Sequence, residues 1–459
     1  MWYVLYNGLL LLASPLILAM LLDKPRCRLG LAQRLGLVLP GWVPDGRPLL
    51  WVHAVSLGEA VAVAPVVKAL HARYPAYRIL VSTVTETGRE AVEQRLAGVA
   101  DHCYAPLDFP WVVAKVVRHL NPALFVFVET ELWPNLLRQL GRSGVPAVLV
   151  NGRLSSRSFG RYRLITSFLR QVLGSVTLCL MQSERDVERM TALGARPDRM
   201  VRTGNIKFDQ PQPEQANGAG ALSRALLGLA SGEELIVAGS THPGEEEELL
   251  AAYRTLVCEF PLLVLMLAPR HIERAAAVEA SVKGRGLPAL RRSLLGTSAA
   301  APHLSGPRVL ILDTRGELAS VYREAVLTYV GGTLIPVGGH NLLEPAVWAK
   351  PVFFGPFTDH CAEIADQLSR AEGLPPVQNG QALAQAMADL LRNRVVLQEV
   401  GRAAQQVVQE NRGALQRTVE QIGLVLDAKV GTRQAGVRGT STGLVHQEAL
   451  APLPGERGG

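Results

Sequence analysis

Glu59 stands where an apolar run gives way to a helical one. The segment His53-Ala54-Val55-Ser56-Leu57-Gly58-Glu59 comes after Pro48-Leu49-Leu50-Trp51-Val52, which reads as a buried strand. It precedes an Ala/Val-rich stretch over 60–70, which reads as a helix. Ligands of open α/β sheets bind at such carboxyl ends of strands. The partial positive charge of a helix N-terminus favours an ionised Glu59. That suits a group that accepts a proton or holds a hydroxyl, with Ser56 and Gly58 beside it. A carboxylate that only complements the helix dipole fits the same pattern.

A second acidic turn lies at Phe127-Val128-Glu129-Thr130-Glu131-Leu132-Trp133-Pro134-Asn135. Residues two apart on a strand share a side, so Glu129 and Glu131 face one way if the strand runs that far. Glu131 as a helix-start charge and Trp133 as core packing are the plainer readings. Gly152-Arg153-Leu154-Ser155 comes after a further strand, and Gly204-Asn205-Ile206-Lys207-Phe208-Asp209 ends the first half. Lys207 there either neutralises a developing anion or ties the domain to the adjoining linker.

The second half carries four polar turns at predicted strand ends. Gly239-Ser240-Thr241-His242-Pro243-Gly244 leads into Glu245-Glu246-Glu247, and its amides and hydroxyls suit a phosphate. The acidic run weighs against phosphate directly over that helix start. Pro269-Arg270-His271 offers a guanidinium for bidentate phosphate pairing. Asp313-Thr314-Arg315-Gly316-Glu317 ends another strand. Gly331-Gly332-Thr333 leads to Gly338-Gly339-His340-Asn341-Leu342-Leu343-Glu344-Pro345. In that last turn Asn341 and Glu344 form either a capping box or a ribose-hydroxyl acceptor. Four such turns in one domain point to a nucleotide site. No G-x-x-x-x-G-K-[ST] loop, no G-x-G-x-x-G fingerprint and no strand-end Asp-x-Asp pair is present. A leaving phosphate then falls to Arg, Lys and backbone amides.

These turns need a scaffold. Short β-rich runs at 49–52, 78–83, 124–128, 147–151, 176–181 and 200–203 alternate with helical patterns, which argues a parallel sheet covered on both faces. The stretch 210–220 (QPQPEQANGAG) breaks the pattern. Alternation restarts with strands at 235–238, 262–267, 309–312, 327–330 and 351–354, and helices at 244–257 and 317–325. The fold class is therefore α/β, two Rossmann-like domains around a cleft. The length of 459 residues fits two or three domains. Beyond 431 the tail is Gly/Ser/Thr-rich and reads as disordered.

Five scattered cysteines (Cys27, Cys103, Cys179, Cys258, Cys361) argue against a disulfide framework or zinc site and fit a reducing compartment. The net charge of +7 favours anionic partners, but no basic–aromatic run suggests nucleic acid. Residues 2–22 are almost wholly apolar, about long enough to span a bilayer. No Lys or Arg precedes them, and Lys24, Arg26, Arg28 and Arg34 come at once after them. The expectation is an uncleaved anchor with the rest cytoplasmic. Trp2, Tyr3 and Tyr6 would sit in the far interface, while Arg34 and Arg47 would meet head groups. A cleaved signal or a buried helix is the alternative.

Taken in order, HAVSLGE, VETELWPN, GNIKFD, GSTHPGEEE, PRH, D-x-x-GEL and GGHNLLEP resemble the bacterial 3-deoxy-D-manno-octulosonic acid (Kdo) transferases. The likeness runs from the anchor to about residue 420. It implies a GT-B glycosyltransferase, two Rossmann-like domains facing a cleft, with an N-terminal membrane-anchor helix. It implies CMP-Kdo as donor in the C-terminal domain and lipid IVA, the lipid A precursor, as acceptor near the inner membrane. The reaction would invert the anomeric centre, need no metal or other cofactor, and serve lipopolysaccharide core synthesis on the cytoplasmic side. By position, Glu59 matches the general base, and Glu129 and Lys207 match transition-state stabilisers. Pro269, Arg270, Arg315, Gly316, Glu317, Asn341, Leu342, Leu343 and Glu344 match CMP-contacting positions. Ser56, Gly58, Glu131, Ser240, Thr241 and His242 are further candidate contacts. Arg315 departs from the family, which has Met before Gly-Glu. The implied layout is an anchor over 1–22, a basic segment over 23–47, an acceptor domain over 48–209, a linker over 210–220, a donor domain over 221–430 and the tail over 431–459. An epimerase of the same fold, or a non-catalytic membrane adaptor that binds a nucleotide sugar, are the competing readings.

Overall fold

The computed structural model describes residues 1–23, 28–41, 45–209, 223–295 and 306–441, with the side chains of 156, 157 and 429–441 left out. The linker over 210–220, Lys24, Arg26 and the tail past 441 lie outside the described residues. The chain divides into two compact units, Met1–Asp209 together with Gly413 onward, and Gln210–Arg412.

The first unit is built on seven parallel strands: β1 (Leu49–His53), β2 (Arg78–Thr83), β3 (Asp101–Tyr104), β4 (Leu124–Val128), β5 (Ala147–Gly152), β6 (Leu178–Met181) and β7 (Met200–Arg202). Their order in the sheet is β3-β2-β1-β4-β5-β6-β7. All five residues of β1 and of β4 are buried, as expected for strands covered on both faces. Sequence order reverses between β1 and β4, which pair directly. A crevice opens outside the carboxyl ends at such a switch point, and the Glu59 and Glu129 turns leave from these two strands. The edge strand β3 gives no signal in the apolar pattern, because it is short and half polar, as edges often are.

The second unit has β8 (Glu234–Thr241), β9 (Leu263–Pro269), β10 (Ala289–Arg291), β11 (Val309–Ile311), β12 (Ala325–Val330) and β13 (Val352–Phe353). The order is β10-β11-β9-β8-β12-β13, all parallel, with its reversal between β8 and β12. The strand expected at 235–238 continues to Thr241, so Gly239 and Ser240 belong to the strand and not to a turn. The helix expected over 317–325 is only Leu318–Val321, succeeded by a 3-10 turn. These are two Rossmann-like domains of the GT-B class.

Two boundaries differ from expectation. The chain rejoins the first unit at Gly413, where the sequence suggests a second domain running to 430. The physical reason is Asp209: its carboxylate accepts from the amides of Gly413 at 2.7 Å and Leu415 at 2.6 Å. The helix Ala414–Ser441, which continues over 431–441 where the sequence reads as a disordered tail, buries Ala414, Val419, Ile422 and Leu426 in the first unit's core. Each of the larger three contributes about 2 kcal/mol.

The second difference concerns helix α1 (Trp2–Asp23). It has mean hydropathy 2.1 and is long and apolar enough to cross a membrane. Its tip, however, is docked. Trp2, Tyr3 and Tyr6 pack around Phe168 at ring-centroid distances of 6.3, 5.4 and 5.6 Å. Tyr3 donates to the Pro134 carbonyl at 3.2 Å and Tyr6 to Asp108 at 2.9 Å. Asn135 donates to Asn7 at 2.6 Å. Beyond α1 the chain again enters this unit: Arg34 is buried, lies 4.4 Å over the Tyr104 ring and donates to the Val84 carbonyl at 2.7 Å. The α1 tip and the segment carrying Arg34 thus rest on one body, which removes Trp2, Tyr3 and Tyr6 from a far interface. Arg34 is likewise no head-group ligand, and Arg47 is paired with Asp45 at 2.7 Å.

Candidate active site

Helix α2 (Leu57–Arg73) begins shortly past β1. Ser56 is its N-cap, in extended conformation, accepting from the Glu59 amide at 3.5 Å. The Ser56 hydroxyl donates to Glu59 Oε1 at 2.9 Å, and the Val55 amide donates to Oε2 at 2.8 Å. The arrangement resembles a capping box, so the capping and chemical readings share one geometry. The expected electrostatics are reversed. Burial pushes the Glu59 carboxyl up to about 7, against the two hydrogen bonds, with Glu131 and Glu129 adding to the rise. Desolvation here outweighs the helix dipole. A base with such a pKa is poised near neutral pH. Gly58 is exposed, and a Cβ there would meet Ser56 Oγ at 4.0 Å, an ordinary contact.

Glu129 comes directly after β4 with φ +55°, a left-handed conformation uncommon outside glycine. The chain therefore leaves strand geometry at this residue, so the two-apart rule does not place Glu131. The bend instead delivers the Glu129 carboxylate to Arg153 Nε at 3.0 Å and Lys207 Nζ at 3.5 Å. Asn151, also at positive φ (54°), is fully buried and accepts from the Ile206 amide at 3.1 Å, which seats the turn carrying Lys207. Non-glycine residues in such conformations concentrate at functional sites. Glu131 is half-buried, accepts from Trp133 Nε1 at 3.4 Å, and has its carboxyl raised by burial. Trp133 also packs edge-on against the buried His53, with centroids 5.1 Å apart. Thus Glu59, Glu129, Glu131, Arg153 and Lys207 gather at the β1/β4/β5 ends.

In the second unit, helix α3 (Glu245–Val257) turns its acidic start inward. Glu245 is completely buried and accepts from the amides of His242, Gly332, Thr333 and Leu334 at 2.7–3.1 Å, and from the Tyr329 hydroxyl at 2.9 Å. Glu246 takes the Arg274 guanidinium through two contacts at 2.8 and 2.7 Å, and the Thr241 hydroxyl at 3.1 Å. The acidic run therefore binds the protein's own loops. It does not oppose a ligand, and Thr241 is committed to Glu246. Ser240 is at φ +56°, and a Cβ on Gly331 would strike its carbonyl.

Pro269 ends β9, and the Arg270 amide donates to the Thr241 carbonyl at 3.0 Å while its side chain is exposed. Of the two readings of Asn341 and Glu344, the capping box is not formed. Instead the Asn341 amide group donates to Glu344 at 3.2 Å. Glu344 is half-buried, and desolvation raises its carboxyl, while the Asn341 hydrogen bond and then Arg270 act to lower it. Leu342 and Leu343 are buried in the core, so only their backbone is open to a ligand. Arg315 is exposed and pairs with Glu273 at 3.1 Å. Glu317 accepts from the Thr314 hydroxyl and lies 3.4 Å from Arg292. Among the described residues, no group of three or more His, Cys, Asp or Glu is arranged to hold a metal ion.

The family model for 3-deoxy-D-manno-octulosonic-acid transferase (kdotransferase) matches residues 29–210. The 3-deoxy-D-manno-octulosonic acid transferase of Haemophilus influenzae is 34% identical over 94% of this chain and 100% of its own. The chain belongs to the Kdo transferase family. That of Chlamydophila psittaci is 32% identical over 71% of this chain and 73% of its own. The fold also resembles the S. aureus MnaA–UDP co-structure, at TM-score 0.55 and 15% identity over 83% of this chain and 97% of that one.

As a Kdo transferase the protein is a glycosyltransferase, and its site has members that sequence patterns do not single out. Arg153, in sequence merely a residue past a strand, completes the Glu129 cluster. Asn151, Glu245 and Asp209 organise loops from positions whose partners lie 55, 87–89 and 204–206 residues away. No local pattern signals such pairings. The Gly-Arg pair at a predicted strand end is the one available cue for Arg153.

Proposed function

We propose that this Kdo transferase moves Kdo from CMP-Kdo to lipid IVA with inversion and without a resident metal. The convergence of Glu59 with Glu129 and Lys207 at the switch point of the first sheet is the observation that carries the reading. Glu59 takes the proton of an acceptor sugar hydroxyl as that oxygen attacks the anomeric carbon of Kdo. Glu129, with Arg153 and Lys207, supplies a fixed ionic cluster beside it. The carbon–oxygen bond to CMP breaks, the electron pair leaves with the phosphate, and Arg270 neutralises it. The cytidine and ribose fall to Pro269, the Arg315–Glu317 turn and the backbone of 341–344, with Glu344 as hydroxyl acceptor. Arg315 reaches a donor phosphate only by leaving Glu273. Attachment to the inner membrane falls to α1, long and apolar enough to cross a membrane, with Leu5, Leu9, Leu12 and Leu16 exposed.

Purified full-length protein given CMP-Kdo and lipid IVA should release CMP and yield a heavier lipid. Nucleotide-sugar conversion without acceptor would instead support an epimerase, and binding without either product an adaptor. Absence of CMP release in the presence of lipid IVA would refute the proposal.

A further inference from the structure

The switch point of the second sheet holds a pair of imidazoles that the steps above leave unused. His242 lies just past β8 and His340 ends the glycine loop after β12, the two strands between which sequence order reverses. Their Nε2 atoms are 2.8 Å apart, with rings within 3° of parallel. Two imidazoles make this contact only when one presents N–H and the other a lone pair. The glycine loop shapes the place: a Cβ on Gly332 would come to 3.0 Å from the His340 ring.

The surroundings keep the pair neutral when no ligand is present. Burial, then Arg270, pushes His340 down to about 4. Burial also lowers His242, opposed by Glu245. The charged and titratable groups facing the pair are Arg270 and His271 beyond β9, Arg274 in the next turn, Glu245 and Glu246 on α3, and His360. Glu245 is saturated by backbone amides, and Glu246 is taken by Arg274. The Arg270 side chain has no hydrogen-bond or ion-pair partner among the described residues. Arg270 is thus the cation that lowers His340, while Glu245 keeps its charge against His242; a phosphate seated at Arg270 offsets that cation and favours a protonated pair. An opposite charge within about 4–6 Å shifts a titrating group by roughly 1–3 pKa units.

We propose that the His242–His340 pair is a phosphate-binding element that takes up a proton with its ligand: a phosphate ester seated beside Arg270 draws one further proton from solvent into the neutral pair, making one ring an imidazolium. The resulting imidazolium then faces the phosphate as it departs with its electron pair, while the acceptor proton remains on Glu59. This rests on the CMP-Kdo reading of the second unit and assigns its phosphate site.

Calorimetric titration of the full-length protein with CMP, near pH 6.5 in buffers of different ionisation enthalpy, counts the protons taken up. The expected result is a net uptake of up to about three-quarters of a proton for CMP, the occupancy of a group raised from about 4 by up to about 3 units, and none for cytidine. His242→Gln and His340→Gln should each abolish the uptake and weaken CMP binding about tenfold, the loss of one charge-assisted contact. Glu59→Gln should retain the uptake in full. CMP binding without uptake, equal uptake with cytidine, or uptake surviving in both histidine variants would overturn the proposal and leave the donor reading standing. Failure of the wild-type protein to bind CMP would overturn both.

Discussion

Replacing Glu59 by glutamine should slow the enzyme and stabilise it in one step. Burial raises the Glu59 carboxyl from 4.5 to about 7. Between those two values the folded protein keeps a proton that the unfolded chain releases. Stability from this group is therefore complete below pH 4.5, falls as pH rises, and is lost above about 7. The shift corresponds to about 3 kcal/mol at 1.36 kcal/mol per unit. Glutamine has no charge to desolvate, and it keeps the cap: its oxygen accepts from Val55 N–H, and its amide faces Ser56 Oγ. The variant should thus match wild type in stability near pH 4.5 and exceed it by about 3 kcal/mol near pH 8. Urea unfolding detected by tryptophan fluorescence reads this, since Trp2, Trp51, Trp111 and Trp133 belong to the first unit and Trp348 to the second. Kdo transfer should fall by roughly 10²–10⁴, the usual contribution of a general base. A variant less stable than wild type near pH 8, or one with near-normal transfer, would refute the reasoning.

Three further outcomes are expected. The wild-type kcat/KM for transfer should rise with pH through about 7, as Glu59 ionises, and a profile flat from pH 5 to 9 would count against it as the base. Arg153→Met should lower transfer by roughly tenfold or more with the fold retained, because Glu129 loses its 3.0 Å partner; steady-state CMP release measures it. Asp108→Ala should free the α1 tip, since Tyr6 and the Asn135 and Leu136 amides all lose their acceptor. The expected cost is about 2–4 kcal/mol for stranding these donors, and limited proteolysis just beyond α1 should accelerate.

Much of this protein is legible in its residues. The β–α alternation, the break near 210 and the polar strand ends arise from local periodicity and turn chemistry, which act over a few residues. Glu59 stands out because a capping box and a catalytic carboxylate need the same placement after a strand. Short edge strands such as β3 and β10 carry no comparable signal, because an edge needs no apolar run. Asn341 and Glu344 satisfy a capping pattern that the four-residue helix Leu343–Ala346 does not use.

What the sequence determined by itself is the scaffold and the family, because these rest on patterns contiguous in the chain. The tertiary structure alone decided protonation and partnership. It made Glu59 a weak acid near neutrality, since burial is a property of the packed fold. It bent Glu129 onto Arg153 and Lys207, returned the last helix to the first unit through Asp209, and pinned the α1 tip to that same unit. It also set His242 against His340 across 98 residues of chain. Electrostatics and hydrogen bonds act over a few ångströms of space, whatever the separation in sequence.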